Sequence, residues 1–290
     1  MRSRLIGAAV LSIGLLASAC ANATTDDGAG DGGGISYHTG ATQVVLRIER
    51  GGGFVPIEYS LTDMPMFSLF GDGLVVIPGA QIEIYPGPAL PAMSQMRLTP
   101  EAIQLLLQKA VDAGLDVDRD YTDLGSIGIA DAPTTTFTLT IDGQVHTTNV
   151  YALGMLDTAP DGMDPDEFQA RQDLLALQDY AMDLSWLPEG TVSDEGMFEP
   201  SGLRVFVGDY RPDDALVEPP IDGPLTTGLS TFGDPVPDGP EGMRCGAVTG
   251  DDAAVLVPLV NQANQLTPWV SDGTRFGLLL RPLLPDETGC

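Results

Sequence analysis

The chain has 290 residues, with 13 lysines and arginines against 41 aspartates and glutamates, a formal net charge of −28 at pH 7. Nucleic acids and anionic lipid headgroups are bound through basic patches, so this balance argues against both as partners. The length allows one large domain or two modest ones. Because aromatic residues make up only 6% of the chain, the core must be mostly aliphatic.

The first twenty residues have the pattern of a secretory leader. Arg2 and Arg4 give a basic start, residues 5–16 are almost entirely apolar, and small residues precede Cys20. The apolar run is shorter than the ~20 residues that a membrane-spanning helix needs. We therefore predict a signal peptide over residues 1–19 that is removed on export.

This segment resembles the leader of bacterial prolipoproteins, in which a small residue precedes a cysteine that is lipidated and becomes the new N-terminus. It departs from that pattern at Ala17, where Leu is usual, because Leu16 lies one place too early. The resemblance implies lipidation at Cys20 and a membrane anchor outside the cytoplasm. The alternative is cleavage by an ordinary signal peptidase and plain secretion. Residues 20–40, rich in Gly, Asp and Thr, are expected to form a flexible tether.

A globular region is expected over residues 41–290, and it opens with β segments. Residues 43–49 read as a strand that ends at the run of glycines at 51–53. Residues 66–77 predict a hairpin, because Gly71-Asp72-Gly73 supplies the turn. Residues 81–85 alternate between polar and apolar side chains and predict a further strand.

The clearest helix is predicted over residues 99–113. Thr99 is a good N-cap, Pro100 occupies the first helical position, and Gly114 is placed to end the helix. Apolar residues recur on one face, which indicates packing against a sheet. A second amphipathic helix is predicted from Asp164 to just before Pro188.

A second hairpin is predicted over residues 134–149, around Asp142-Gly143. Its pattern Phe-x-Leu-x-x-Asp-Gly-x-Val also occurs at residues 67–75, and each hairpin is followed by a helix. One interpretation is duplication of a unit of about 70 residues. The other is that any two hairpins with Asp-Gly turns share such a pattern.

Residues 209–242 hold seven prolines and several glycines, an unusually long irregular stretch for a compact domain. This stretch is either a linker between two lobes, residues 41–208 and 243–290, or an extended segment laid over the surface. Strands are expected before it at residues 203–207 and after it at 245–248 and 275–284. A helix is expected near residues 252–266.

Cys245 and Cys290 remain as an even pair once Cys20 is assigned to the leader. In an oxidising compartment such a pair predicts a disulfide. The alternative, a reactive Cys245, finds no His nearby in the sequence. Residues 281–287, Arg-Pro-Leu-Leu-Pro-Asp-Glu, followed by Cys290, resemble the endings of uncharacterised exported bacterial lipoproteins. The resemblance implies a compartment and a shared fold, and it assigns no catalytic residue.

Four carboxylates form the strongest candidate for a metal site. Asp116, Asp118, Asp120 and Asp123 have the alternating spacing of oxygen ligands in calcium-binding loops. The loop departs from that pattern because its sixth place is not Gly and its twelfth is not Glu. The alternatives are therefore a calcium site and a solvated acidic loop.

Other sequence motifs for chemistry are weak. The two histidines, His38 and His146, are far apart in the sequence, and no His-Glu-x-x-His, Cys-x-x-Cys or glycine-rich phosphate loop occurs. The Ser-hydrolase pattern Gly-x-Ser-x-Gly occurs only out of frame. A pair of carboxylates for glycoside hydrolysis depends on a separation in space, which the sequence does not give.

Together these features predict an α+β fold, in which antiparallel hairpins carry two or three helices on one face and a disulfide closes the C-terminal segment. The predicted function is that of a lipid-anchored extracytoplasmic protein, a non-enzymatic module that binds an envelope ligand or scaffolds an envelope assembly. The alternatives are an extracytoplasmic hydrolase with paired carboxylates and a calcium-dependent binding protein. The expected partners are the membrane, through the N-terminal lipid, and an envelope ligand or protein. No cofactor is expected unless calcium binds.

Overall fold

The computed structural model describes residues 34–125, 128–213, 216–237 and 239–290. The predicted signal peptide 1–19, the predicted lipidation site Cys20 and the part of the predicted tether up to residue 33 lie outside the described residues. Within the described ranges the chain forms two β-sheets and four α-helices. The predicted α+β fold is confirmed, as is the disulfide between Cys245 and Cys290.

The first sheet is built around two antiparallel hairpins. Its strands are β1 (Val44–Gly51), β2 (Phe67–Phe70), β3 (Leu74–Pro78), β4 (Met93–Leu98), β5 (Arg119–Tyr121), β6 (Thr134–Ile141), β7 (Gln144–Tyr151) and β8 (Val192–Met197). They lie in the order β5-β7-β6-β1-β2-β3-β4-β8. Both predicted hairpins are confirmed, because β2 pairs with β3 and β6 pairs with β7.

Strand β1 lies between the two hairpins. Ile48 lies opposite Phe67 on one side and Phe137 on the other, and Leu46 is flanked by leucines in the same way. All of these side chains are buried. Residues that lie directly opposite each other in a sheet share one face. The two hairpins therefore extend a single apolar row on both sides of β1.

This mirrored arrangement bears on the similarity between the two hairpins. Both β2 and β6 are antiparallel to β1. A half-turn about the axis of β1 would exchange these two strands, but it would also exchange the two faces of the sheet. Corresponding side chains of β2 and β6 would then lie on opposite faces. Phe67 and Phe137 instead share one face. The turns also differ, because Leu69 pairs with Val75 whereas Leu139 pairs with His146. The two hairpins therefore share a buried face but are not related by a rotation about β1.

Two of the helices cover this apolar face of the first sheet. The helices are α1 (Ile57–Thr62), α2 (Pro100–Asp112), α3 (Pro165–Met182) and α4 (Gly250–Val260). The Thr99 side chain caps α2 by accepting a hydrogen bond from the Ala102 amide at 3.4 Å. The Asp164 side chain caps α3 in the same way. The apolar stripes of α2 and α3 join the sheet in one core, as the sequence predicted.

The opposite face of the first sheet is covered by the C-terminal end of the chain. Phe70 and Val76 point to this face and pack with Met64 and Leu284. Every residue of β2 is consequently buried, because one face meets helices and the other meets this segment.

The second sheet has its own helix. Its strands are β9 (Gly202–Asp209), β10 (Ile221–Asp222), β11 (Asp234–Pro235), β12 (Arg244–Thr249), β13 (Trp269–Ser271) and β14 (Thr274–Pro282). They lie in the order β10-β13-β14-β9-β12-β11. Helix α4 packs on this sheet and shares a core with Trp269. The helix ends at Val260, soon after Pro258, which removes one hydrogen-bond donor from its last turn.

Strand β9 is placed differently from the lobes that the sequence suggested. Those lobes assigned residues 203–207 to the first lobe, ahead of a linker at 209–242. In the structure β9 is an inner strand of the second sheet, between β14 and β12. The division between the two sheets therefore falls ahead of Gly202. Residues 209–242 supply β10 and β11 to the edges of the second sheet.

The predicted strand over residues 81–85 is wrong. The connection between β3 and β4 is irregular there, and the Gln81 side chain satisfies the backbone of Ala92 with hydrogen bonds of 2.8 and 3.3 Å. The next residues turn toward the second sheet, where the Gln265 amide donates to the Gly87 carbonyl. Alternation alone does not make a strand where no neighbouring strand is available to pair.

None of the helices in the described parts of the chain combines the length and the apolar character that crossing a bilayer would demand.

Candidate functional site

A large cavity lies at one end of the first sheet. Strand β1 ends there at Gly51, opposite Thr134, where β6 begins. Strand β3 ends beside it at Pro78, opposite Met93. Residues that leave or enter several neighbouring strands at one edge thus come together.

We call this cavity the groove. Its volume is about 680 Å³, and it opens to solvent. It is lined by residues 50–55, by residues 59, 60 and 62–64, by parts of the 78–93 connection, and by Asp131 and Pro133. The lining is mainly apolar, with a few polar groups that include Arg50, Asp63 and Gln81. Mainly apolar walls with a few polar groups are typical of binding clefts.

The walls of the groove differ from its floor. Met64 and Met93 are buried beneath it. On the wall, Phe54 is 91% exposed and Tyr59 is 70% exposed. Helix α1, which contributes Tyr59, has no buried residue at all. Phe54 and Tyr59 are therefore held at the surface, whereas Leu61 of α1 packs against the core of the second sheet.

Two glycines set the course of the wall as it leaves β1. Gly52 and Gly53 have φ angles of 77° and 81°, in the region that glycine adopts without strain. A Cβ on Gly53 would lie 3.0 Å from the Asp131 carbonyl oxygen. The glycine run thus turns the chain out of the sheet and lets it pass closely over the loop that holds Asp131.

Arg50, Asp63 and Asp131 are the charged residues that line the groove. The Asp63 carboxylate accepts a hydrogen bond from the Met64 amide at 3.0 Å, and its carbonyl accepts one from Arg281 Nε at 2.9 Å. Partial burial raises the pKa of Asp63, against the lowering effects of the Met64 hydrogen bond and the charges of Arg281 and Arg50. The Arg50 side chain forms no hydrogen bond or ion pair with another described residue.

The four carboxylates of the predicted calcium loop are exposed and are engaged separately. Asp118 accepts from the Thr147 amide at 2.7 Å, Asp120 from Thr122, and Asp123 from the Gly125 amide. The Thr122 hydrogen bonds lower the pKa of Asp120. Asp116 forms no such bond with the described residues. Over the described ranges no three acidic, His or Cys side chains are grouped for a metal ion, so calcium binding by this loop stays a prediction.

The two histidines lie near the turn end of the first sheet, away from the groove. His38 is half-buried, and its carbonyl lies against Gly71 in the turn of the first hairpin. His146 is half-buried on β7, opposite Leu139. Neither lines the groove.

The C-terminal sequence that resembles lipoprotein endings joins the two sheets. Asp286 receives two hydrogen bonds from Arg47 of β1, at 2.7 and 2.8 Å. Glu287 pairs with Arg281 of β14 at 2.7 Å and with Arg204 of β9 at 3.5 Å. Cys290 is bonded to Cys245 of β12. We call residues 283–290 the clasp, because its acidic residues and its cysteine all hold other elements together.

The groove was not anticipated from the sequence. The residues between Gly53 and Met64 were assigned to no element, since their apolar positions follow neither a strand nor a helix period. One usable signal was present, namely a run of three glycines followed by apolar and aromatic residues with no core period. Comparison of the chain with protein-family models, with curated proteins and with solved structures found no match.

Proposed function

We propose that this protein is a lipid-anchored extracytoplasmic binding module, held to the membrane through Cys20, that presents the groove to a ligand outside the membrane. The observation that carries the proposal is the position of the groove, at the end of the first sheet opposite to the end where the chain arrives from Cys20. The non-enzymatic character is proposed on the same ground as in the sequence analysis, where the motifs for chemistry are weak.

The geometry of the arriving chain supports this orientation. Residue Ile35 is held by the Gln104 side chain of α2 at 2.8 and 2.9 Å. The Ser36 carbonyl accepts from the Asp142 amide in the turn of the second hairpin. Both contacts are near the start of β1, whereas the groove is at its end. A strand advances by ~3.3 Å per residue, so the two ends of β1 are about 23 Å apart.

The bridge between Cys245 and Cys290 supports an oxidising compartment, because disulfides persist mainly outside the cytosol. The leader at residues 1–19 points to the same compartment. A net charge of −28 suits a protein that is kept soluble at a surface, and it disfavours a groove that recognises nucleic acid.

The anchor is tested by feeding cells an alkyne-tagged fatty acid and comparing the wild type with Cys20→Ala. We expect label and membrane association in the wild type, and loss of both in Cys20→Ala. Cys290→Ser serves as the matched control, because it removes a cysteine without touching the leader, and it should keep the label. If the wild type carries no label and is released from cells, the protein is secreted and not anchored.

One observation favours hydrolysis by paired carboxylates as a second candidate. Asp63, whose pKa is raised by partial burial, lines the groove together with Asp131. A raised pKa in one of two carboxyl groups is the arrangement that separates a general acid from its partner. The test is a panel of soluble polysaccharide substrates, with any activity required to vanish in both Asp63→Asn and Asp131→Asn.

A further inference from the structure

We propose that the groove binds a polypeptide segment in which apolar side chains are flanked by lysine or arginine. The inference rests on the proposed function, because it names the partner of the same groove. Two features carry it: exposed aromatic and aliphatic walls, and carboxylates at the margin.

The apolar walls call for a partner larger than the groove. Phe54 is 91% exposed and Tyr59 is 70% exposed, and both stand on the wall rather than on the floor. Val55, which also lines the groove, is 51% exposed. Clusters of exposed apolar side chains mark interaction surfaces. A small ligand on the floor would leave these side chains in water, whereas an extended polypeptide covers them.

The charges at the margin of the groove favour a positively charged partner. Asp63 and Asp131 line the groove, and Glu49 lines its continuation along β1. Arg50 is the cation that faces them from the same two stretches of lining. The carboxylates therefore outnumber the guanidinium, on a chain whose net charge is −28. Complementary charges at the rim steer association and set specificity, while the apolar centre contributes most of the affinity.

This combination argues against other partners. An anionic lipid surface or a nucleic acid would meet the excess of carboxylates at the margin and the negative field of the whole chain. A basic, apolar segment is attracted both by the carboxylates at the margin and by the negative field of the whole chain. The basic side chains of the partner would pair with the carboxylates that line the groove and its continuation, Glu49, Asp63 and Asp131.

The test measures binding of a fluorescent peptide to the exported protein purified in detergent. The probe is a short peptide in which Leu and Phe alternate with Lys, fitted with a photoreactive phenylalanine analogue. Two companion peptides replace Lys with Glu, or the apolar residues with Ser. We expect the Lys peptide to bind at least about tenfold more tightly than either companion, and to cross-link to residues 50–64 or 78–93.

Matched variants separate the groove from the acidic surface in general. Phe54→Ser combined with Tyr59→Ser should weaken binding about tenfold, since interface aromatics are frequent hot spots. Val217→Ser, at a side chain that is 92% exposed and outside the groove, should leave it unchanged. Glu49→Gln combined with Asp131→Asn should weaken binding, and more so at low salt, whereas Asp116→Asn should not. Asn suits position 131 because φ there is 59°.

Two outcomes would overturn the inference. In the first, no peptide binds, or the Glu companion binds best. In the second, the groove variants behave like Val217→Ser and Asp116→Asn while cross-links scatter over the surface, which leaves only unspecific attraction to an acidic protein. Neither outcome touches the anchor, because fatty-acid labelling at Cys20 is read independently of peptide binding.

Discussion

Arg47 illustrates how a single charged side chain links the two sheets. Its side chain is 12% exposed, and it donates to both carboxylate oxygens of Asp286 and to Ser68 Oγ at 3.2 Å. Removing Asp286 would leave the Arg47 charge without a compensating carboxylate in a poorly solvated position. We expect Asp286→Ala to lower the free energy of unfolding by about 2 kcal/mol in urea titrations. Asp116→Ala, at an exposed carboxylate, should change it by less than about 0.5 kcal/mol, and equal effects would contradict this account.

Lys109 forms a second local contact that the fold makes possible. Its ammonium lies 4.6 Å from the centre of the Tyr180 ring and 5.9 Å from that of Trp186. The two rings meet edge to face, so α2 and the end of α3 are joined by a cation between aromatics. Such a contact stabilises by about 0.5–1 kcal/mol at an exposed site. Lys109→Met keeps the apolar stem and should lose that amount.

A double-mutant cycle isolates this contact from packing changes. Lys109→Met and Tyr180→Leu, singly and together, should give a coupling free energy of about 0.5 kcal/mol in thermal unfolding. A coupling of zero would mean that the charge of Lys109 is solvated and that only its stem contributes.

The raised pKa of Asp63 predicts that the stability of the protein depends on pH. Because its pKa is raised in the folded protein, its contribution to stability is full below the ordinary value of 3.8 and is lost as the pH rises through the raised pKa. Asp63→Asn removes that loss and keeps an oxygen for the Met64 amide. The variant should therefore be at least as stable as the wild type at neutral pH, with its advantage disappearing below pH 3.8.

Asp120 provides a control of opposite sign. Its pKa is lowered by Thr122, so its contribution to stability is present above the ordinary value and is lost as the pH falls through the lowered pKa. Asp120→Asn should be the less stable protein at neutral pH. Urea titrations of both variants over the acidic range check the two signs together, and the same direction in both would contradict the assigned causes.

The glycines that begin the groove wall give a prediction for a whole segment. Gly53→Ala places a Cβ 3.0 Å from the Asp131 carbonyl and forces a side chain onto a φ of 81°. We expect it to cost about 1–2 kcal/mol and to displace the wall formed by residues 54–63. Gly51→Ala is the matched control, because a Cβ there would meet nothing within 4 Å, and the change should be nearly neutral. Thermal unfolding and peptide binding measured on both variants check the prediction.

Elements with strong local signals were predictable from the sequence. The Asp-Gly turns fixed both hairpins, and Thr99, Pro100 and Gly114 bounded α2 within a residue of its observed ends. Helix α1 was missed because it buries no residue and therefore has no apolar period to detect. The 81–85 segment was assigned wrongly because its alternation is satisfied by a side chain and not by a paired strand. The groove lies between these two segments, so the site was hidden where local patterns are weakest.

At the scale of the whole molecule, the features that were not predicted from the sequence depend on long-range contacts. The predicted α+β class holds, yet β9 pairs with β14 and β12 across the irregular 209–242 stretch. The Arg47 and Asp286 pair spans 239 positions. No sequence pattern around Arg47 or Asp286 predicts this contact. By contrast, once Cys20 was assigned to the leader, the two remaining cysteines predicted a long-range bond, because only one pairing remained.

That bond holds the clasp in place and gives a prediction for the whole molecule. The bridge between Cys245 and Cys290 closes a loop with a sequence separation of 45. On the chain-entropy estimate, it stabilises the protein by about 4 kcal/mol. Cys290→Ser should lower the free energy of unfolding by up to that amount, and reductant should lower the wild type to the same level without affecting the variant.

The clasp carries more than the bridge, so loss of the bridge alone should loosen the end of the chain before the sheets separate. Asp286 and Leu284 still bind the first sheet when Cys290 is changed, because their contacts lie several residues before it. Limited proteolysis of Cys290→Ser should cut after Glu287 first and leave the rest intact. In Cys290→Ser combined with Asp286→Ala, both attachments are weakened, and cleavage should extend between the sheets. If the single and double variants are cut alike, the ion pair does not join the sheets.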